Sequence, residues 1–229
     1  MNFWEVTLYL LDGFKLTCLL FALTLILSLP LGLLISFCTM SKIKPIAKVF
    51  KVIVWIVRGI PLMLQIFVIY YVPGFVGYNI FAKVDTFFYL NTGLEDMGRF
   101  IAVTIAFSLN YACYFSEIFR GGIQSIPKGQ YEACEVLGMS KSKTFIYVIL
   151  PQVIKRILPP TGNEVITLVK DTALSRVILV SELIMQAEKL MASALIWPLF
   201  YSGAFYLIFV GILTLLFNYV EKKLSYYKV

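Results

Sequence analysis

The sequence predicts an all-α integral membrane protein that crosses the bilayer five times. Three observations carry this. Of 229 residues, 60% are hydrophobic and 14% are charged, whereas a soluble domain carries about 25% charged residues. Mean hydropathy is +0.85. Long uncharged stretches recur, each close to the roughly 20 residues needed to cross hydrocarbon, and they are separated by segments that are alternately basic and mixed in charge. Such a chain lacks the polar surface to cover a water-facing globule. The same composition excludes disordered, collagen-like and coiled-coil classes.

The first span, about 14–40, holds an uncharged run from Leu16 to Ser41. Its leader carries Glu5 and Asp12 ahead of Lys15, and its apolar run exceeds that of a signal peptide, so it is expected to stay in the mature protein. The second span, about 53–80, includes Arg58-Gly59-Ile60-Pro61. Proline lacks an N–H and crowds the preceding turn, so a break or kink is expected there. Residues 52–57 then either continue one tilted helix or form a short interfacial one. The third span, about 98–119, is uncharged from Phe100 to Ser116, and the fifth, about 196–220, is uncharged throughout. The fourth, about 157–183, carries Glu164, Lys170, Asp171, Arg176 and Glu182, and hydropathy alone does not decide it.

Loop charge decides it. Lys42, Lys44, Lys48 and Lys51 follow the first span. Arg120, Lys128, Lys141, Lys143, Lys155 and Arg156 follow the third, and Lys222, Lys223 and Lys228 lie in the tail. Residues 83–99 instead mix Lys83 and Arg99 with Asp85, Glu95 and Asp96, and residues 182–189 hold one Lys against two Glu. Basic loops stay on the cytoplasmic side. The order out, in, out, in, out, in requires five spans, with the N-terminus outside and the C-terminus cytosolic. There is no internal repeat or low-complexity segment, and residues 1–229 read as a single domain.

Net charge is +7 and His is absent, which removes Ser-His-Asp and Cys-His catalysis and His-ligated metal sites. The basic excess sits in the cytoplasmic loops and reads as membrane orientation, not nucleic-acid binding. Cys18, Cys38, Cys113 and Cys134 form no CxxC pair and read as small buried hydrophobes.

The fourth span concentrates the chemistry. Glu164 and Asp171 lie seven apart and share a helical face, with Asn163 and Thr167 on the same side. Lys170 points about 100° away from Asp171. Charges at membrane depth cost several kcal/mol unless paired or wet. Two readings fit: an internal Lys–carboxylate network, or a wet cavity for a zwitterion, with Lys170 attracting a carboxylate and Glu164 or Asp171 an ammonium group. Arg58 either snorkels to the headgroups or lines a polar path with Gln65, seven residues on. Asn110 and Glu117 share a face of the third span. Asn110 suits helix–helix contact, and Glu117 is within i, i+3 reach of Arg120. Pro159-Pro160 are expected to open the fourth span.

The loop at about 121–156 is too long for a turn. Gly121-Gly122 are expected to end the preceding helix and Ser125 to cap a new one. Ala133, Cys134 and Leu137 then form a one-sided stripe. Gly138 breaks that helix, and Ser140 caps another running through Ile149. The result is a stiff elbow. It is either a docking knob for a soluble partner or an interfacial helix held by Lys141 and Lys143.

This elbow resembles the EAA loop of binding-protein-dependent ABC importers: Glu132-Ala133-Cys134, then Gly138, then Ile149-Leu150-Pro151. The text RGGIQSIPKGQYEACEVLGMSKSKTFIYVILPQ at 120–152 is similar to that of the polar amino-acid permease branch, the histidine, glutamine, arginine and cystine types. So are RGIPLMLQ at 58–65 and TGNEVITLVKDTAL at 161–174. Cys134 replaces a family Ala, Ala173 a frequent Ser, and Arg176 a small or apolar residue. The resemblance implies a type I importer transmembrane domain of the MetI-like fold in a bacterial cytoplasmic (inner) membrane. It implies a second permease chain, identical or paralogous. It also implies two cytosolic ATPase subunits that receive the elbows at Glu132, Ala133, Cys134, Gly138, Ser140 and Lys141, and an extracytoplasmic amino-acid-binding protein. It places the residues matching Glu164 and Lys170 in the central cavity, against the amino acid.

The chain is expected to be a transport subunit and not an enzyme. No G-x-x-x-x-G-K-[ST] loop is present, so ATP and Mg would be held by the partner ATPase, with no cofactor in this chain. The alternative is an ion-coupled secondary transporter, which broken helices and midplane charges also fit. Five spans in 229 residues leave little room for the inverted repeats usual in that class.

Overall fold

The computed structural model describes residues 2–92, 96–192 and 194–224. Glu95 and Lys228, used above in the loop-charge argument, lie outside them. The described residues are helical nearly throughout: α1 (Phe3–Thr39), α2 (Lys44–Gly59), α3 (Leu62–Phe75), α4 (Ile80–Thr92), α5 (Met97–Gln124), α6 (Lys128–Val136) and α7 (Lys141–Lys143). A π-helical turn, Thr144–Ile149, joins α7 to α8 (Leu150–Asp171). A 3-10 segment (Thr172–Ile178) precedes α9 (Leu183–Ala192) and α10 (Trp197–Leu224).

Among the described residues, α1, α5 and α10 are each long and apolar enough to cross a membrane. α8, which carries Lys155, Arg156, Glu164, Lys170 and Asp171, is not in that group. The α2–α3 pair is apolar enough together but bends by 104° at Ile60-Pro61. The break expected at Pro61 is therefore a sharp turn. Ile60 is extended, and Pro61 is the residue from which α3 starts. Residues 52–57 form the end of an independent amphipathic helix that begins at Lys44.

The core is built on α5, which packs along α1 and also meets α3, α4 and α8. Phe107, Tyr111 and Phe115 from α5 are fully buried with Leu20, Ile66, Leu168 and Val169. The α1 side of this contact is made of small residues. Thr24, Ser28, Gly32 and Ser36 are all buried. A Cβ added at Gly32 would lie 2.9 Å from both the Ala112 carbonyl oxygen and Phe115 Cβ, so glycine permits the close approach there. All four cysteines are free, and Cys113 and Cys134 are buried while Cys18 and Cys38 are half-buried.

Three local expectations differ from what is observed. Gly121-Gly122 do not end α5, which runs to Gln124. A side chain at Gly122 would collide with Ile157, so this glycine serves packing between α5 and α8. Ser125 does not cap α6. Its hydroxyl donates back to the Gly122 carbonyl at 2.7 Å, and Pro127 precedes α6 instead. Pro159 and Pro160 lie inside α8, not at its start. Each missing N–H falls opposite a carbonyl four residues back, that of Lys155 or Arg156.

Candidate functional site

The α2–α3 turn, α5, α8 and Leu174 of the 3-10 segment converge on a cavity of about 550 Å³. The α2–α3 turn supplies Arg58 and the backbone of Gly59–Leu62, α5 supplies Asn110, Tyr111 and Tyr114, and α8 supplies Glu164, Thr167 and Asp171. The three α8 residues fall at i, i+3 and i+7 and share one face, as their spacing predicts.

The turn is braced from within. Gln65 Nε2 donates to the carbonyls of Val57 at 2.7 Å and Ile60 at 2.8 Å. These carbonyls are left unpaired where the helix ladder stops. Gln65 itself is not among the cavity-lining residues. Arg58 sits at the mouth, with its guanidinium 4.9 Å from the Tyr114 ring centroid and 3.8 Å from Glu117 Oε2. Glu117 is held bidentately by Arg120, Nε to Oε1 at 2.9 Å and Nη2 to Oε2 at 2.5 Å. The fixed cation is thus stacked on an aromatic face, a favourable placement for guanidinium.

Across the cavity, the Tyr111 hydroxyl donates to Asp171 Oδ2 at 2.7 Å. Thr167 donates back to the Asn163 carbonyl at 3.0 Å. Asn163 and Lys170 are exposed and do not line the cavity. Lys170 lies on the flank of α8, as its offset from Asp171 requires. The cavity therefore holds two carboxylates, Glu164 and Asp171, and one guanidinium. Tyr111 and Tyr114 were not anticipated as site residues. The available signal was the Asn110, Tyr114, Glu117 spacing of four and three, which continues one face of α5.

The elbow is the second candidate site. Glu132, Ala133 and Cys134 lie on α6. Cys134 is buried, but Ala133 and Leu137 are exposed, so the expected stripe does not pack within this chain. Val136 is 88% and Leu137 77% exposed. Gly138 has φ +69°, a left-handed conformation that favours glycine. Its N–H donates to the Glu135 carbonyl at 2.9 Å and that of Met139 to Cys134 at 3.0 Å, closing the helix end. Ser140 caps α7 by accepting from the Lys143 N–H at 3.5 Å, and Lys141 is the first helical residue beyond it. Gln152 Nε2 donates to Gln130 Oε1 at 3.3 Å, and Arg156 donates to the Ser125 carbonyl, fixing the elbow to α8.

Helices long and apolar enough to cross a membrane, together with a polar cavity at a broken helix, suit a membrane transport subunit. The family profile described as "Binding-protein-dependent transport system inner membrane component" matches residues 28–226. This chain belongs to that family and is a multi-pass membrane protein of the inner membrane. It is 37% identical over 229 residues to the L-cystine transport system permease protein TcyB of Bacillus subtilis (strain 168), covering 99% of this chain and 89% of the relative. It is 33% identical over 220 residues to the arginine transport system permease protein ArtQ of the same organism, covering 95% and 93%. Its fold matches a chain in the crystal structure of an amino acid ABC transporter with histidines, at TM-score 0.80 and 30% identity, covering 97% and 99% of the two chains. A methionine transporter chain, MetNI in an inward-facing form, shares the fold at TM-score 0.65 and 16% identity, covering 98% and 99%.

Proposed function

We propose that this chain is the permease subunit of an ATP-driven, binding-protein-dependent importer of polar amino acids. The observation that carries the reading is the cavity between α5 and α8, where Glu164 and Asp171 face Arg58 across a turn in the chain. Two carboxylates suit an ammonium group and the guanidinium suits a carboxylate, which together match a zwitterion. The amino-acid permeases among its relatives support the same class.

In this reading the chain is one domain over 1–229, spanning at about 14–40, 98–119, 157–183 and 196–220, while the span expected at about 53–80 crosses only from the α2–α3 turn onward and leaves 53–59 at the membrane surface. The N-terminus is outside and the C-terminus cytosolic. It pairs with a second permease chain. Exposed Lys170 and Asn163 support that pairing, since a cation facing lipid costs several kcal/mol and a partner across the path gives Lys170 a wet, shared wall. Lys170 and Arg58 then hold the substrate carboxylate from two sides, with Thr167 and Asn163 adding hydrogen bonds and Gln65 holding the wall in shape. The elbow, with exposed Val136 and Leu137, docks on one of two cytosolic ATPase subunits that bind ATP and Mg. An extracytoplasmic binding protein delivers the amino acid.

Expression with its genetic partners tests this. The chain should co-purify with an ATPase, and proteoliposomes should accumulate amino acid only with internal ATP and external binding protein. Uptake driven by an ion gradient without ATP would overturn the proposal.

A further inference from the structure

A second cavity, of about 640 Å³, with both polar and apolar lining, lies between the end of α1, one face of α2 and the end of α5. Lys44, Lys48 and Lys51 fall at i, i+4 and i+7 on α2, and all three line it. Ser41 and Gln124 add polar groups, and Val52 and Trp55 form an apolar edge. Among the described residues none of the three lysines is in an ion pair. The acid that Lys51 influences at longer range, Glu117, is already gripped by Arg120. No Asp or Glu occurs between Asp12 and Asp85. Three exposed like charges line one concavity with no acid among its lining residues, so an anion is the complementary partner.

The rest of α2 says what carries that anion. Its opposite face exposes Ile46, Val49, Ile53 and Ile56, while Trp55, 76% exposed, shares the lysine face. The helix turns 104° from α3, so it lies across the direction in which α3 runs. A helix with cations and an exposed Trp on one side and apolar residues on the other belongs in the headgroup layer. A soluble anion would leave the apolar edge unused, whereas a lipid offers a phosphate and an acyl chain together.

We propose that this cavity binds the phosphate of an anionic membrane lipid, with Lys44, Lys48 and Lys51 as its charged walls. The inference rests on α2 lying at the membrane surface and does not depend on which amino acid is transported. The purified transporter complex, released from nanodiscs of equimolar phosphatidylcholine and phosphatidylglycerol, should retain phosphatidylglycerol selectively by native mass spectrometry. Changing all three lysines to Gln should lower that enrichment by at least about tenfold, since each cation near an anionic surface contributes on the order of a factor of five. Changing all three to Arg should preserve it. Excess inorganic phosphate should leave it unchanged. In the unaltered complex, a photoactivatable phosphatidylglycerol should label the α2 peptide and the phosphatidylcholine analogue should not. Equal retention in the Gln variant, displacement by inorganic phosphate, or equal labelling by the two lipid probes would each overturn the proposal.

Discussion

Tyr111 and Asp171, 60 positions apart in sequence, are joined by a 2.7 Å hydrogen bond from the phenol to Oδ2. The bond fixes the end of α8 against the middle of α5 and sets the orientation of one of the two cavity carboxylates. It also separates two roles that a carboxylate can play here, accepting a bond from the protein and attracting a cation.

Tyr111→Phe removes the donor and leaves the carboxylate in place. A hydrogen bond to a charged group contributes about 1.5–3 kcal/mol, so the melting temperature of the purified complex should fall. Asp171→Asn keeps an acceptor and loses the charge. It should melt close to wild type while weakening substrate-stimulated ATPase activity. Wild-type stability in Tyr111→Phe would show that the contact holds nothing together.

Glu164→Gln preserves the shape of the cavity wall and removes a charge. The substrate concentration for half-maximal stimulation of the assembled ATPase should rise roughly ten- to a hundredfold, the equivalent of one charge-assisted contact. Lys170→Met should do the same only if a second permease chain encloses the exposed flank of α8. Unchanged stimulation in both variants would make these charges structural.

At Gly138 any L-side chain meets a left-handed backbone, at about 1–2 kcal/mol, and a β-branched one fares worse. Gly138→Val should therefore lose its co-purifying ATPase or hydrolyse ATP without uptake. Gly129→Ala is the control. It sits within α6, has nothing within 4 Å of the added carbon, and should behave as wild type. Coupled uptake in Gly138→Val would reject the elbow as the docking element.

Gln65→Leu strips the donor from two carbonyls at the α2–α3 turn. Amide hydrogen exchange over 57–66 should accelerate, with little change in α10. Gln65→Glu should be worse, since it sets a carboxylate against two carbonyl oxygens. Exchange at the wild-type rate in both would mean that Pro61 alone holds the turn.

Sidedness is open to direct labelling. After replacement of Cys18, Cys38, Cys113 and Cys134 by Ala, Tyr89→Cys should react with an impermeant thiol reagent from outside, and Lys141→Cys only after the membrane is opened. The reverse pattern would sink the five-span arrangement.

The helical repeat made much of the site legible in the sequence. Glu164, Thr167 and Asp171 share a face because 3.6 residues make a turn, and no tertiary information is needed to see it. Gly138 and the cap at Ser140 were equally local. Tyr111 and Tyr114 were not, because a tyrosine within an apolar run looks the same whether it packs or lines a cavity. The partners of Arg58 depend on a 104° turn whose direction Pro61 does not specify. Gly121-Gly122 and Pro159-Pro160 misled for a common reason. Both pairs have an intrinsic preference for helix ends, the glycines for a stop and the prolines for a start, yet each lies within a continuous helix, and at Gly122 the packing on Ile157 accounts for it.

The small-residue seam of α1 constrains how this helix can change over generations. A position on its outer side, such as Ile26, can drift among Leu, Val and Phe with little effect. Thr24, Ser28 and Ser36 have only small residues to choose from, and Gly32 has no alternative. Where backbones touch this closely there are few long side chains to swing aside, so α1 and α5 have little means of accommodating each other piecemeal. A larger side chain on either helix has to be matched by the other, so the two helices act as one packed unit.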